Sequence, residues 1–254
     1  MDTTSSTIFI PGATSGIGLA LALRLKARGS TVIIGGRRTE LLERLRDEHG
    51  FDTVRIDTAD PASIREAAAE VLTAHPDLDV LVAMAGIMRV EDWHAPEGFL
   101  ASAEAVVTTN VLGPIRLIAA FAEHLQQRQA ATIVTVSSGL AFVPLAATPS
   151  YNASKAAIHQ LSESIRLQLA DTSVRVVELV PPAVRSDLLP GHAENEDAMP
   201  LDAFADEVMG LLETQPDADE VLVERVGLLR FAERRGDYPQ VVAAVNARDP
   251  HGKE

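Results

Sequence analysis

Short apolar runs alternate with longer amphipathic stretches along the whole chain. The runs are rich in β-branched side chains, which is typical of strands buried on both faces of a parallel sheet. The predicted strands are residues 7–10, 31–34, 53–56, 80–83, 132–136, 174–180 and 220–223. Between the first two, Ile17, Leu21 and Leu25 recur at helical spacing, and Gly29 follows where a helix is expected to end. The pattern therefore alternates strand and helix.

This alternation predicts an α/β fold of the Rossmann type, a doubly wound parallel sheet of about seven strands with helices on both faces. An eight-stranded α/β barrel is the alternative at this length, but only about seven strands are found. Residues 1–254 are expected to form one domain. Within it, residues 185–200 are rich in turn-forming and acidic residues and are expected to form a substrate loop.

Composition and charge narrow the classes of function. The formal net charge of −14 at pH 7 disfavours binding to nucleic acid or to an anionic membrane. The absence of cysteine excludes disulfides and thiolate catalysis. No apolar run approaches the length of a membrane span and the N-terminus does not resemble a secretion signal, so a cytoplasmic protein is expected. The histidines lack metal-like spacing, so no metal site is predicted.

A glycine-rich turn follows the first predicted strand, where ligands bind in open parallel sheets. Gly12, Gly16 and Gly18 form a Gly-X-X-X-Gly-X-Gly turn that opens the first helix. Glycine at these positions permits a tight turn and lets a pyrophosphate approach the helix N-terminus. A glycine-rich loop without a ligand is the alternative for the motif alone, and its place between strand and helix favours the dinucleotide.

The second strand ends in two glycines followed by Arg37 and Arg38. A carboxylate here would hold the ribose hydroxyls and exclude a 2′-phosphate, whereas arginines supply charge-assisted donors to that phosphate. The sequence therefore favours NADP(H) over NAD(H), with solvated surface arginines as the alternative. Asp57 follows the third strand, where it either accepts a hydrogen bond from the adenine amino group or caps a helix. Ala85 and Gly86 follow the fourth strand and are small enough to let a cofactor pass close to the backbone.

The fifth strand and the helix after it carry the candidate chemistry. Ser138 follows the strand, and Tyr151 and Lys155 lie one helical turn apart. A phenol ordinarily titrates near pH 10, and a nearby ammonium lowers that pKa, so the spacing predicts Tyr151 as a general acid or base. Ser138 is expected to hydrogen-bond the substrate oxygen. Tyr-X-X-X-Lys alone also occurs on ordinary helix surfaces, but this chain has only two tyrosines.

With these motifs the chain resembles the short-chain dehydrogenase/reductase family over nearly its whole length. The resemblance implies a catalytic tetrad of Asn110, Ser138, Tyr151 and Lys155, in which the backbone of Asn110 binds a water of the proton relay. It also implies that residues 180–186 contact the nicotinamide end. The residues expected to contact the cofactor are Gly12, Thr14, Ser15, Gly16, Ile17, Gly18, Arg37, Arg38, Asp57, Thr58, Ala85, Gly86, Tyr151, Lys155, Pro181, Val184 and Ser186.

The function expected from these residues is NADPH-dependent hydride transfer between nicotinamide and a carbonyl or alcohol substrate, with Tyr151 as general acid or base. The resemblance further implies a homodimer or homotetramer. Four positions depart from the family pattern: Pro11 replaces threonine, Ala83 and Met84 replace two asparagines, and Pro182 replaces glycine. The departures at Pro11, Ala83 and Met84 motivate the alternative function, a dinucleotide-binding regulatory or sensor protein with weak or lost catalysis.

Overall fold

Seven parallel strands form a single sheet in the order β3-β2-β1-β4-β5-β6-β7 in the computed structural model, which describes residues 1–191 and 193–247. Position 192 of the predicted loop and positions 248–254 of the predicted domain lie outside the described residues. The strands are β1 (Thr7–Pro11), β2 (Thr31–Gly36), β3 (Asp52–Arg55), β4 (Val80–Ala83), β5 (Ala131–Val136), β6 (Val174–Val180) and β7 (Glu220–Leu222). The predicted Rossmann-type sheet is confirmed, with strand ends within two residues of those predicted.

Helices cover both faces of this sheet. They are α1 (Gly16–Ala27), α2 (Thr39–His49), α3 (Pro61–Ala74), α4 (Leu100–Val107), α5 (Gly113–Gln126), α6 (Pro149–Gln168), α7 (Leu201–Thr214), α8 (Gly227–Arg230), α9 (Ala232–Arg235) and α10 (Tyr238–Ala247). Strands β1 and β4 are neighbours in the sheet although two other strands separate them in sequence. The winding direction reverses between them, and this is where a ligand crevice is expected.

Alternate residues of each strand belong to two different hydrophobic cores. Ile8 and Ile10 of β1 face the core that includes Leu25 of α1 and the buried residues of α7. Phe9 faces the opposite core, where its ring lies 5.5 Å from that of Phe121 of α5. Because both faces of the strand are buried, its sequence is continuously apolar rather than alternating. This explains why short apolar runs located the strands.

A continuous helical segment, Leu100–Gln126, joins α4 and α5 through a π-helical turn at Thr108–Leu112. Its most apolar 18-residue window has a mean hydropathy of 1.5, so by length and composition it could cross a membrane, contrary to the sequence expectation. One such helix is weak evidence, because helices of water-soluble proteins pass the same test. Here α4 packs against α6 and α5 packs against α3. The exposed large apolar side chains of the segment Leu100–Gln126 are Leu100, Val107, Leu112 and Ile115.

Candidate functional site

A cleft of about 1440 Å³ opens at the carboxyl ends of the strands. Every residue predicted to contact the cofactor lines this cleft, and so does Ser138. Asn110 is buried behind it. Pockets for single small ligands are commonly about 300–1,000 Å³, so this cleft has room for a dinucleotide and a substrate together. The sequence-predicted residues therefore meet at one site, where their individual roles remain predictions.

The glycine turn has a shape that only glycine fits well. Gly12 has φ +89°, and a Cβ built on it would lie 2.9 Å from the Cα of Ala85. A Cβ on Gly18 would lie 2.8 Å from the Cα of Ala13. Helix α1 begins at Gly16, and its N-cap residue makes no side-chain capping bond within the described chain. The first N–H groups of α1 are therefore available to an anion, as a dinucleotide phosphate requires.

Apolar packing replaces polar contacts behind this turn. Pro11 ends β1 in register with Gly35 of β2, and Ala83 of β4 is paired with a residue of β5. The sulfur of Met84 lies 3.1 Å from the position that a Cβ of Gly18 would take. Met84 thus fills the space beside the turn with a flexible thioether. The departures from the family pattern leave the turn supported rather than open.

Two arginines lie at the outer end of the cleft, beyond β2. Arg37 and Arg38 are exposed and line the cleft. Arg38 Nη2 donates a hydrogen bond of 3.0 Å to Oγ1 of Thr14 in the glycine turn. This contact places the guanidinium beside the turn that is expected to hold the phosphates. Two guanidinium groups thus line the part of the cleft next to the glycine turn.

Asp57 closes a local turn and does not cap a helix. Its Oδ1 accepts a hydrogen bond of 3.0 Å from the backbone N–H two residues later. The N-cap of α3 is Asp60, whose carboxylate accepts from the second residue of that helix. The helix-capping alternative for Asp57 is therefore wrong. Its carboxylate lines the cleft, where it is in a position to accept from an adenine amino group.

Tyr151 and Lys155 lie in the first turns of α6 and face the inner end of the cleft. Both side chains are buried, and Lys155 Nζ lies 5.5 Å from the centre of the Tyr151 ring. Ser138 Oγ accepts a hydrogen bond of 3.1 Å from the N–H of Leu140, and its interaction with the Tyr151 hydroxyl favours a lower pKa of that phenol. Lys155 Nζ donates to the carbonyl of Val136 at 2.8 Å. Strand β5 and helix α6 thus bring the three predicted catalytic side chains together.

Burial controls the protonation of these two groups in the chain alone. Burial raises the pKa of Tyr151 to about 12, and the hydrogen bond with Ser138 opposes that shift. Burial also lowers the pKa of Lys155 to about 8, and the negative charge of Glu178 opposes this shift. The pKa of Tyr151 therefore lies above its ordinary value, contrary to the sequence expectation of a lowered pKa, because burial disfavours the phenolate. Tyr151 is therefore a protonated acid at neutral pH.

Asn110 lies in the π-helical turn, and its side chain is fully engaged. Its amide exchanges hydrogen bonds of 2.8 Å with the backbone N–H and carbonyl of Ile87, and it donates to Ser154 Oγ at 3.1 Å. Four residues later, Pro114 has no N–H to donate to the Asn110 carbonyl, as an α-helix would require. The regular α-helical hydrogen bonding therefore cannot continue through this position, and the water-binding role that the resemblance implies for the Asn110 carbonyl remains a prediction.

Glu91, a buried carboxylate that supports the start of α6, was not identified from the sequence. Its oxygens accept from the N–H of Ser150 at 3.1 Å, from Trp93 Nε1 at 3.0 Å and from Ser102 Oγ at 2.7 Å. Burial raises the pKa of Glu91, but these hydrogen bonds together hold it below its usual value. Because Ser150 precedes Tyr151, Glu91 ties the start of α6 to α4.

One region of the cleft is lined by apolar side chains. Helices α8 and α10, which the sequence pattern did not reveal, supply part of its wall. The apolar side chains there are Met88, Leu140, Leu145, Leu229, Val241 and Val245. Residues 185–200 contribute Ser186, Asp187, Leu188, Asn195 and Asp197. Val184 and Met199 form a parallel bridge that fastens the two ends of this predicted loop together.

One buried hydroxyl supports the fit of a ligand in the cleft. Ser137 Oγ is buried, lines the cleft and has no hydrogen-bond partner among the described residues. Buried polar groups are normally hydrogen-bonded, so a bound molecule that supplies a partner would complete this site. With the glycine turn and the free N–H groups of α1, the residues present fit a nicotinamide dinucleotide.

Comparison with known proteins supports this interpretation. The family described as short chain dehydrogenase matches residues 6–197. DltE of Bacillus subtilis, described as an uncharacterized oxidoreductase, is 38% identical over 98% of this chain and 100% of its own. The NADP-dependent 3-hydroxy acid dehydrogenase YdfG of Salmonella typhi is 32% identical over 68% of this chain and 71% of its own. A short chain dehydrogenase from Burkholderia cenocepacia, solved with NADP, aligns with a TM-score of 0.81 and 26% identity over 96% of this chain and 99% of its own.

Proposed function

The chain belongs to the short chain dehydrogenase family of oxidoreductases, which bind nicotinamide dinucleotides, and from this premise we propose that it transfers a hydride between NADP(H) and a carbonyl or alcohol carbon. The observation that carries the proposal is the buried cluster of Ser138, Tyr151 and Lys155 at the inner end of the cleft. Arg37 and Arg38 at the outer end support NADP(H) rather than NAD(H).

In the reducing direction, Tyr151 gives its proton to the substrate oxygen. When bound, NADPH supplies the hydride to the carbonyl carbon. Ser138 holds the carbonyl oxygen by a hydrogen bond and so orients it toward the phenol. Lys155 offsets the charge that Tyr151 acquires as its proton leaves. A pKa of about 12 keeps Tyr151 protonated and ready for this step at neutral pH.

A spectrophotometric screen tests the activity. Purified protein is expected to oxidise NADPH in the presence of at least one member of a panel of aldehydes, ketones and 3-oxo acids. The 3-oxo acids are included because the chain is similar to a 3-hydroxy acid dehydrogenase. Micromolar NADPH binding with no turnover across the panel would support the regulatory or sensor alternative instead.

We also propose a homodimer or homotetramer assembled partly through the Leu100–Gln126 segment and α6. The exposed side chains of Leu100, Val107 and Ile115 give that segment an apolar outer surface. Light scattering at working concentration is expected to give a mass of at least two chains. A monomer at that concentration would contradict the assembly but not the activity.

Replacing Arg37 by alanine is expected to weaken NADPH binding roughly 10- to 150-fold and to leave NADH binding nearly unchanged. The loss follows because a charge-assisted hydrogen bond to the 2′-phosphate contributes about 1.5–3 kcal/mol, which only the phosphorylated cofactor can use. Fluorescence titration with both cofactors measures it. Arg44→Ala, at an exposed position of α2 outside the cleft, is the matched control. Equal losses for both cofactors would show that the assignment is wrong.

The pH dependence of the reduction is expected to follow Lys155. Its ammonium form is populated below a pKa of about 8 and is lost above it. The value of kcat/KM, which reports the free enzyme, is therefore expected to be level below pH 8 and to fall about tenfold per pH unit well above it. Tyr151 adds no change in this range, since its proton is retained to about pH 12. A profile that rises between pH 7 and pH 9 would contradict the roles given to both residues.

A further inference from the structure

A second cluster of ionisable side chains lies outside the cleft. His159 of α6, Glu178 of β6 and Glu220 of β7 each present a ligating atom, and these atoms lie within 4.8 Å of one another. Glu178 and Glu220 are register partners on neighbouring parallel strands, so their side chains leave the same face of the sheet. His159 approaches them from the helix that covers this face. Three separate elements thus converge on one point.

Glu178 is incompletely satisfied within the described chain. Its side chain is fully buried, and Oε2 lies 2.8 Å from Nδ1 of His159. Oε1 is also buried and has no hydrogen-bond partner among the described residues. A buried carboxylate oxygen without a partner is costly, and paired charges or a metal ion are the usual ways in which proteins offset that cost. The unpartnered Oε1 is therefore suited to contact with a cation.

Arg230 supplies only part of the positive charge that the cluster needs. It donates two hydrogen bonds to Glu220, of 2.8 and 3.1 Å, and its guanidinium lies 4.4 Å from the centre of the Phe142 ring. Glu163 lies 3.8 Å from the other nitrogen of His159 and adds a third carboxylate to the cluster. The cations beside these carboxylates are Arg230, which binds Glu220, and Lys155, which feels the charge of Glu178. Neither cation donates a hydrogen bond to Oε1 of Glu178.

We propose that His159, Glu178 and Glu220 bind a divalent transition metal ion. One imidazole nitrogen and two carboxylate oxygens form a mixed donor set that suits Zn²⁺, with Co²⁺ as its spectroscopic substitute. Arg230 does not contact the ion but donates hydrogen bonds to the Glu220 carboxylate and so orients this ligand. The ion links α6 to the last two strands of the sheet. Because Tyr151 and Lys155 lie on the same helix, it holds in place the element that carries them.

Metal binding is tested on tag-free, chelator-treated wild-type protein. Titration with Co²⁺ is expected to give visible absorption bands that saturate at one ion per chain and disappear when Zn²⁺ is added. Zn²⁺ is also expected to raise the Tm, because it binds only the folded site. Wild-type protein with no saturable Co²⁺ or Zn²⁺ binding in the micromolar range would overturn the proposal, and the cluster would then be an ion-pair network alone.

Single substitutions assign the ligands. Glu220→Gln and His159→Gln are expected to weaken Co²⁺ binding at least tenfold and to remove the Zn²⁺-dependent rise in Tm. Both positions are partly exposed, so these variants are expected to fold even if the buried Glu178→Gln variant does not. His75→Gln is the matched control, because His75 is paired with a different carboxylate. Its Nε2 lies 3.5 Å from Oδ2 of Asp52, and neither residue belongs to the cluster. Unchanged binding in both ligand variants would overturn the assignment, and none of these readouts depends on the proposed catalytic activity.

Discussion

Replacing Tyr151 by phenylalanine is expected to lower kcat by about 10²–10⁴-fold, the range that general acid–base catalysis supplies. The substitution removes the proton donor and keeps the ring, which packs in the small cluster with Met88, Leu145 and Leu189. NADPH affinity is expected to change by less than about threefold, because loss of an interaction made in the transition state lowers kcat rather than binding. Steady-state rates and a fluorescence titration of NADPH measure the two effects separately.

The second tyrosine of the chain provides the control. Tyr238 begins α10 and does not line the cleft. Tyr238→Phe is expected to leave kcat within about twofold of wild type, because it removes the same hydroxyl from a place without a reacting group. Unchanged turnover in Tyr151→Phe would remove Tyr151 from the mechanism. That comparison requires a Tyr151→Phe protein that is folded and binds NADPH. A thermal melt checks the folding, and the fluorescence titration checks the binding.

Replacing Gly12 by alanine is expected to lower kcat/KM about 100-fold. The residue has φ +89°, a conformation that costs a non-glycine residue about 1–3 kcal/mol. The added Cβ would also lie 2.9 Å from the Cα of Ala85, so the glycine turn or the end of β4 must move. Displacement of about 1 Å at a site that positions reactants costs about 100-fold in rate. A fall in Tm of several degrees is expected with it.

Gly210→Ala is the matched control for that substitution. Gly210 lies within α7, and a Cβ built there meets nothing within 4 Å. Alanine is favoured over glycine in a helix by about 0.5–1 kcal/mol, so this variant is expected to be as stable as wild type or slightly more stable. A Gly12→Ala protein with wild-type kcat/KM would show that the turn is looser than its backbone geometry requires.

Strand positions could be predicted because the sheet is buried on both faces. Runs such as 80–83 and 174–180 match β4 and β6 residue for residue. The short helices α8 to α10 could not be predicted, since their apolar residues pack on a loop and on the cleft rather than form a long repeating stripe. The first strand was predicted to end one residue too early, before Pro11. Proline has no N–H to donate within a sheet, but Pro11 remains in register with Gly35.

Site residues could be predicted where they follow strands, because the topology of a parallel sheet brings strand ends together. Glu91 could not be predicted, because two of its partners, Ser102 and Ser150, lie on different helices. The spacing of residues along the chain does not show how those helices pack. Glu178 did leave a signal: it is a charged residue inside the apolar run 174–180. Its partners, however, are distant in sequence. The pKa of Tyr151 depends on how deeply its side chain is buried, and the spacing of residues in the sequence does not reveal that depth.

The bridge between Val184 and Met199 has an evolutionary consequence. The carbonyl of Met199 accepts from the N–H of Arg185 at 2.9 Å, and its own N–H donates to the carbonyl of Ala183 at 2.9 Å. These bonds clamp the chain where it leaves and rejoins the fold. The entropy of closing a loop grows only slowly with its length, so insertions or deletions between the clamped residues need not disturb the sheet. The segment between the two clamped ends can therefore change in length while the sheet and the cluster of Ser138, Tyr151 and Lys155 stay in place.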